Sequence, residues 1–163
     1  MTNNLIVRCA EPDDSQALFE LIQGLAEYEK LSHAVTGNAL ALHEHLFGSK
    51  RYIEALLAEY SGKAVGFALF FHNYSTFLTK PGLYLEDLFV LPEYRRQGIG
   101  KALLIKLAQI AVERECGRLE WTVLDWNESA QAFYRSMGAS ILDDWRICRV
   151  TEEAIGQLAA KES

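Results

Sequence analysis

Leu18, Leu21, Ile22 and Leu25 recur at spacings of three and four, which gathers them on one stripe of a helix. Asp13, Asp14 or Ser15 can cap that helix, and it runs to about Tyr28. A short apolar strand, residues 5–10, precedes it. A weaker helix is predicted over 38–47. Residues 53–59 read as a strand, Ser61-Gly62-Lys63 as a tight turn and 64–72 as the hairpin partner. Residues 73–82, with Pro81, read as a loop. The apolar run 83–91 is the central strand. Ile99, Leu103, Leu107 and Ile110 then mark one face of a long helix reaching Arg114. A strand over 118–124 follows, and then a helix opened by Asn127 or Ser129 and stopped after Met137 by Gly138. Residues 141–150 read as a final strand broken near Asp143-Asp144, and Thr151 is placed as the cap of a last helix. With no internal repeat, low-complexity tract or linker, early hairpins and a later βαβα order predict a single mixed α/β domain over 1–163.

Composition narrows the class. At 163 residues, half of them hydrophobic, the chain can bury a core and is not expected to be disordered. No apolar run approaches the ~20 residues that span a bilayer, and Met-Thr-Asn-Asn lacks the basic and apolar parts of a secretion signal. A cytoplasmic protein without a membrane partner is the expectation. Cys9, Cys116 and Cys148 are odd in number and widely spaced, so they read as buried or idle thiols rather than a disulfide framework. His33, His43, His45 and His72 show no metal spacing, and no metal is expected. A net charge of −6 argues against nucleic acid as the main partner and suits a cationic small substrate.

Chemistry concentrates after the central strand. Arg95-Arg96-Gln97-Gly98-Ile99-Gly100-Lys101 is a basic, glycine-punctuated loop that opens a helix. A helix start carries roughly half a positive charge and several N–H groups without intrahelical partners. It is a natural seat for a phosphate or pyrophosphate, and the glycines let the backbone approach closely. Arg95 and Arg96 can add charge-assisted contacts.

Two stretches resemble the GCN5-related N-acetyltransferases. Arg95-Arg96-Gln97-Gly98-Ile99-Gly100 is similar to that family's acetyl-CoA signature Q/R-x-x-G-x-G/A. Asp125-Trp126-Asn127-Glu128-Ser129-Ala130-Gln131-Ala132-Phe133-Tyr134, followed by Met137-Gly138-Ala139, resembles its second signature at the expected separation. Leu25-Ala26-Glu27-Tyr28-Glu29-Lys30-Leu31, Tyr84-Leu85-Glu86-Asp87 and Val123-Leu124-Asp125-Trp126-Asn127 lean toward the diamine (spermidine/spermine) and thialysine branches. The segment from Gly138 to Trp145 looks shorter than in the diamine enzymes, and Asp143 or Asp144 would stand in for an acidic substrate contact there.

The resemblance implies a mixed sheet of six to seven strands, splayed around the cofactor, with four to five helices. It implies acetyl-CoA as co-substrate, its diphosphate on Gln97, Gly98, Ile99, Gly100 and Lys101. Its pantetheine arm would pair with a bulged strand at Leu88, Phe89 and Val90. An N–H of Leu88 or Phe89 would face the thioester oxygen. Further cofactor contacts fall on Asn127, Ser129, Ala130 and Tyr134, although capping a helix is the other role open to Asn127. Tyr134 is the candidate acid for the departing thiolate, and Glu86 the candidate base for the ammonium. Tyr28, Glu29, Glu86, Asp87 and Asp144 are the implied acceptor contacts. Strand alternation sends Glu86 and Asp87 to opposite faces, so at most one reaches a cleft from a given surface.

The expected activity is direct acetyl transfer to a primary amine of a polyamine or lysine-like amino acid, through a ternary complex, since no cysteine lies in either motif. A protein or peptide acceptor, or a non-catalytic coenzyme-A-binding module, are the alternatives. The resemblance also implies a homodimer, and Ile147, Val150, Ile155 and Leu158 offer an apolar C-terminal surface for it.

Overall fold

In a computed structural model, described here for residues 4–162, contacts divide the chain into two units, Met1–Thr122 and Val123–Ser163. The first holds the sheet. Its strands are β1 (Leu5–Cys9), β2 (Glu54–Tyr60), β3 (Lys63–Ser75), β4 (Lys80–Val90) and β5 (Leu119–Glu120), in that spatial order. β1 to β4 are antiparallel, and β5 joins β4 in parallel. The β2–β3 hairpin turns at Ser61 (φ 51°) and Gly62 (φ 82°), two successive left-handed residues that match the strands' twist.

Helices cover both faces. α1 (Ser15–Tyr28) and α2 (Ala39–Phe47) pack Leu18, Leu21, Leu25 and Leu46 onto Leu57, Phe67, Leu69 and Phe89. Asn38 caps α2 by accepting the Ala41 N–H at 2.9 Å. On the opposite face, α3 (Ile99–Glu113) buries Ile99, Leu103 and Leu107, the stripe expected from spacing, while Leu56, Ala68 and Leu83 are buried in the sheet. The end of α3 is pinned by Arg114, whose guanidinium donates to both oxygens of Glu54 at 2.7 Å.

Several expectations are corrected. The loop expected over 73–82 is mostly strand: β3 continues to Ser75, β4 begins at Lys80, and Tyr74 pairs with Pro81. Pro81 lies near the strand's start, where a missing N–H is least costly. The strand expected over 118–124 is only Leu119–Glu120. The sheet therefore has five strands among the described residues rather than six or seven.

The second unit carries α4 (Glu128–Ser136) and α5 (Glu152–Ala159). Its 141–150 stretch forms no strand: Asp143 and Asp144 sit in a turn, and almost every residue there is exposed. Thr151 occupies the N-cap position of α5 without a side-chain cap bond, and Glu152 and Glu153 supply the favourable charge instead. Cys9 and Cys148 are exposed free thiols, not buried ones.

Candidate active site

The site grows from one irregularity in β4. Leu85 pairs with Phe70 and Asp87 with Leu69, so Glu86 is an extra residue with no counterpart on β3. This is a β-bulge, and it resets the alternation. Before it, Leu83 and Leu85 are buried on the α3 face. After it, Leu88 lies opposite Ala68 on that face, whereas Asp87 and Phe89 lie opposite Leu69 and Phe67, on the α1 face. Strict alternation thus fails at the very dipeptide where it was applied. Glu86 is the exposed bulge residue, and Asp87 is tucked inward beside it.

Pairing also changes along β4. β5 pairs only with Leu83 and Tyr84. From Leu85 to Val90, β4 has no strand on that edge among the described residues. Leu88, Phe89 and Val90 thus lie on a half-strand whose outer main-chain groups are open to an extended ligand.

The end of α1 lies against this half-strand. A Cβ at Gly24 would come within 3.1 Å of the Phe89 ring, so a bare backbone is what lets helix and ring close up. α1 stops abruptly, with Lys30 in the left-handed region (φ 60°) and Leu31 N–H donating to Ala26 O at 2.7 Å. This fixes Tyr28 and Glu29 at the helix end. Burial raises the pKa of Glu29 above its ordinary value. Asp87 is pushed up to about 6, first by burial and then by the charges of Glu86 and Glu29. Three carboxylates therefore share one neighbourhood, and Asp87 and Glu29 resist ionisation there.

Past β4 the chain makes a 3₁₀ turn at Pro92–Tyr94 and enters the basic loop. Arg96 (φ 61°) and Gly98 (φ 80°) are both left-handed. Gly98 is the N-cap of α3, and nothing lies within 4 Å of where its Cβ would stand, so its dihedral angle, not crowding, asks for glycine. Gly100 and Lys101 follow in the first turn, whose N–H groups lack intrahelical acceptors. Arg96 and Gln97 are exposed.

Arg95 lies against the end of α1. Its guanidinium carbon lies 4.3 Å from the Tyr28 ring centre and 5.5 Å from that of Phe89, and its Nε donates to Val90 O at 3.0 Å. The side chain is therefore packed against α1 and β4. No spacing rule foretold this contact. An arginine five residues beyond the strand end was its only trace.

In the second unit, Asn127 caps α4, accepting the Ala130 N–H at 3.2 Å, so the capping role is the one seen. Gln131 Nε2 donates to Leu124 O and Asp125 O, holding the entry to the helix. Tyr134 is half-buried on α4, its ring 5.4 Å from that of Phe133. Gly138 (φ 96°) closes the helix, with the Ala139 N–H donating to Tyr134 O at 3.1 Å. Ser129 and Asp144 are exposed.

An open half-strand running into a basic, glycine-punctuated helix start suits a long phosphate-bearing carrier in extended form. The acetyltransferase (GNAT) family profile matches residues 16–139, and the chain belongs to that family. It is an N-acetyltransferase, and acetyltransferases of this family use acetyl-CoA. A thialysine N-epsilon-acetyltransferase of Bos taurus is 37% identical over 168 residues, covering 96% of this chain and 98% of the relative. An L-ornithine N5-acetyltransferase of Arabidopsis thaliana is 32% identical over 194 residues, covering 91% and 85%. Among solved structures, an integron cassette protein from the mobile metagenome of V. cholerae superposes with a TM-score of 0.81 at 25% identity, covering 97% and 99%.

Proposed function

We propose that the chain moves an acetyl group from acetyl-CoA to a primary amine of a small cationic acceptor, directly and without an acyl-enzyme. The observation that carries this reading is the cluster of Glu86 and Asp87, on the open half of β4, with Glu29 at the end of α1. The residues fit the co-substrate. First-turn N–H groups of α3 and the exposed Arg96 would hold its diphosphate, and the free edge at Leu88 to Val90 would pair with its amide-bearing arm.

Acetyl-CoA supplies an activated acyl carbon and a thiolate leaving group. The acceptor arrives as an ammonium and must lose a proton before its nitrogen can attack. Glu86 or Asp87 takes that proton, directly or through water. The reported identities of thialysine and ornithine enzymes among the relatives support a small amine acceptor. A β4 N–H of Leu88 or Phe89 stabilises the charge that develops on the acyl oxygen. As the amine nitrogen bonds to carbon and the carbon–sulfur bond breaks, Tyr134 gives its phenolic proton to the thiolate, and the second proton released from the nitrogen as the amide forms restores the phenol. This role for Tyr134 rests on the α4 signature.

The chain is further proposed to be a cytoplasmic homodimer. The exposure of Trp145, Ile147, Val150, Ile155 and Leu158 supports a partner surface, and no described helix is long and apolar enough to cross a membrane. The direct test of function is thiol release from acetyl-CoA against a panel of amino acids, diamines and peptides. Release with small amines, reduced by Tyr134→Phe without loss of acetyl-CoA binding, supports the reading. Release only with peptides, or with nothing in the panel, overturns it.

A further inference from the structure

We infer that Gly24 in α1 is a positioning residue for acetyl transfer. Having no side chain, it sets how close the Phe89 ring stands to the helix, and through that ring it fixes the line of the β4 edge that meets the acyl group. This rests on the function proposed above and adds a residue to it.

Hydrogen bonding along β4 shows which groups face the open edge. Leu91 N–H donates to Val65 O at 2.8 Å, so Leu91 turns its main chain toward β3. Residues of an antiparallel pair alternate in this respect. Val90 therefore faces away from β3, Phe89 faces it, and Leu88 faces away. Val90 O accepts from Arg95 Nε at 3.0 Å, as an outward carbonyl can. A Cβ on Gly66 would stand 2.8 Å from Phe89 O, which puts that oxygen on the β3 side. The N–H open to an acyl oxygen is thus that of Leu88, and its neighbour Phe89 is the anchor.

Phe89 is held at both ends. Its main chain faces β3, and its ring is buried among three neighbours: Phe67 at 6.5 Å between ring centres, the Arg95 guanidinium at 5.5 Å, and Gly24 of α1. A Cβ on Gly24 would stand 3.1 Å from Phe89 Cε1 and 3.4 Å from Cζ, so the ring must give by a few tenths of an ångström. Elsewhere α1 meets the core with bulk, burying Leu18, Leu21 and Leu25. A glycine inside a helix costs backbone entropy, so at this one position helix stability is given up for close approach. A push on the ring passes to Leu88, because β4 beyond Leu85 has β3 on one edge and no strand on the other among the described residues. An oxyanion donor works within a few tenths of an ångström, roughly 2.7–3.1 Å from the oxygen, so a shift of that size is felt in turnover.

The test is a double-mutant cycle on the full chain, read with the amine that releases thiol fastest. Gly24→Ala should lower kcat about tenfold and hold the KM for acetyl-CoA within about twofold, since the interaction it disturbs is made in the transition state and the diphosphate seat at α3 is untouched. The variant should still melt cooperatively, because alanine favours a helix interior. Phe89→Leu removes the ring edge that the new Cβ meets. In a Phe89→Leu background, Gly24→Ala should therefore change kcat less than about twofold, and that rescue is the signature of the contact. Equal losses in both backgrounds would show that the effect does not run through the ring. An unchanged kcat would leave Gly24 a packing role, and a raised KM for acetyl-CoA with kcat intact would assign the contact to the carrier's arm. A Gly24→Ala protein that fails to fold would make the position part of the core and not of the chemistry. Each of these overturns the inference and leaves acetyl transfer to small amines standing. A wild type that releases no thiol with any amine sinks that broader reading as well.

Discussion

The two halves of β4 are built for opposite ends. From Lys80 to Leu85 the strand lies between β3 and β5, and Leu83 and Leu85 are buried to 0% and 2% exposure. From Glu86 to Val90 it has β3 alone, a bulge and two adjacent carboxylates in an otherwise apolar run. The closed half satisfies its own backbone. The open half leaves one edge unpaired and spends stability on Asp87, a carboxyl that resists ionisation beside Glu86. Under the proposed function, one continuous strand passes from scaffold to chemistry across a single unpaired residue, Glu86.

Deleting Glu86 is the most severe way to break this contrast. Without the extra residue, Leu85, Asp87, Leu88 and Phe89 would alternate regularly and keep their partners Phe70, Leu69, Ala68 and Phe67. The fold should survive, with a cooperative melt close to that of the wild type. Turnover should fall roughly a thousandfold, because a proton acceptor is lost and the strand straightens. Glu86→Gln keeps the bulge and should retain more activity than the deletion. If the two behave alike, the bulge contributes no geometry of its own.

The closed half should answer to packing alone. Leu83→Ala removes a fully buried side chain and should cost about 2–5 kcal/mol in urea unfolding. The KM values for acetyl-CoA and acceptor should hold wherever the variant remains folded. A selective change in either KM would mean that the closed half is part of the site.

Asp87→Asn separates charge from shape on the open half. Asp87 titrates near 6, above its ordinary range. The native state therefore binds this proton more tightly than the unfolded chain does. Stability from the protonated form is complete below the ordinary aspartate range and is lost as pH rises through about 6. The asparagine variant cannot ionise there, so it should match the wild type near pH 4 and exceed it by about 1–3 kcal/mol at pH 8. Its turnover at pH 7 should fall roughly a hundredfold, and the rise in rate through pH 6 should flatten. Chemical denaturation and rate profiles across pH check both. An unchanged low-pH limb would remove Asp87 from the proton path.

These contrasts also mark what the sequence revealed. The helices were legible because their signals are local: the stripe Leu103, Leu107 and Ile110, the cap at Asn127, and the stop at Gly138. The basic loop was legible because glycine and arginine stand at fixed offsets from a strand end. The strand lengths were misjudged where pairing overrides composition. Asn73 and Pro81 look like loop residues, yet Asn73 lies in β3 and donates to Glu120 at 3.1 Å across the sheet. The face of Asp87 was not readable, since a bulge is a mismatch between two strands and neither strand alone records it. The same holds for Arg95 over Tyr28, which depends on the angle at which α1 meets β4.

The mildest test compares two glycines that face the two halves. Gly66 pairs with Val90, and a Cβ there would stand 2.8 Å from Phe89 O and 3.3 Å from Val90 Cγ2. Gly82 lies in the closed half, and its Cβ would meet the Asn73 side chain and stand 3.2 Å from Arg118 O. In both substitutions something must move. Opposite Gly66 the movable element is the open half of β4, which has no strand behind it to resist. Around Gly82 the surroundings include the Asn73–Glu120 hydrogen bond and the junction with β5. Gly66→Ala should therefore cost about 1 kcal/mol in stability while shifting the KM for acetyl-CoA several-fold, because the edge that pairs with its arm is displaced. Gly82→Ala should cost about 1–3 kcal/mol and leave that KM alone. Denaturant titration alongside steady-state kinetics reads both quantities from the same preparations. Should the two alanines trade places, with KM moving for Gly82→Ala and stability alone for Gly66→Ala, the division of β4 into a closed and an open half would be drawn in the wrong place.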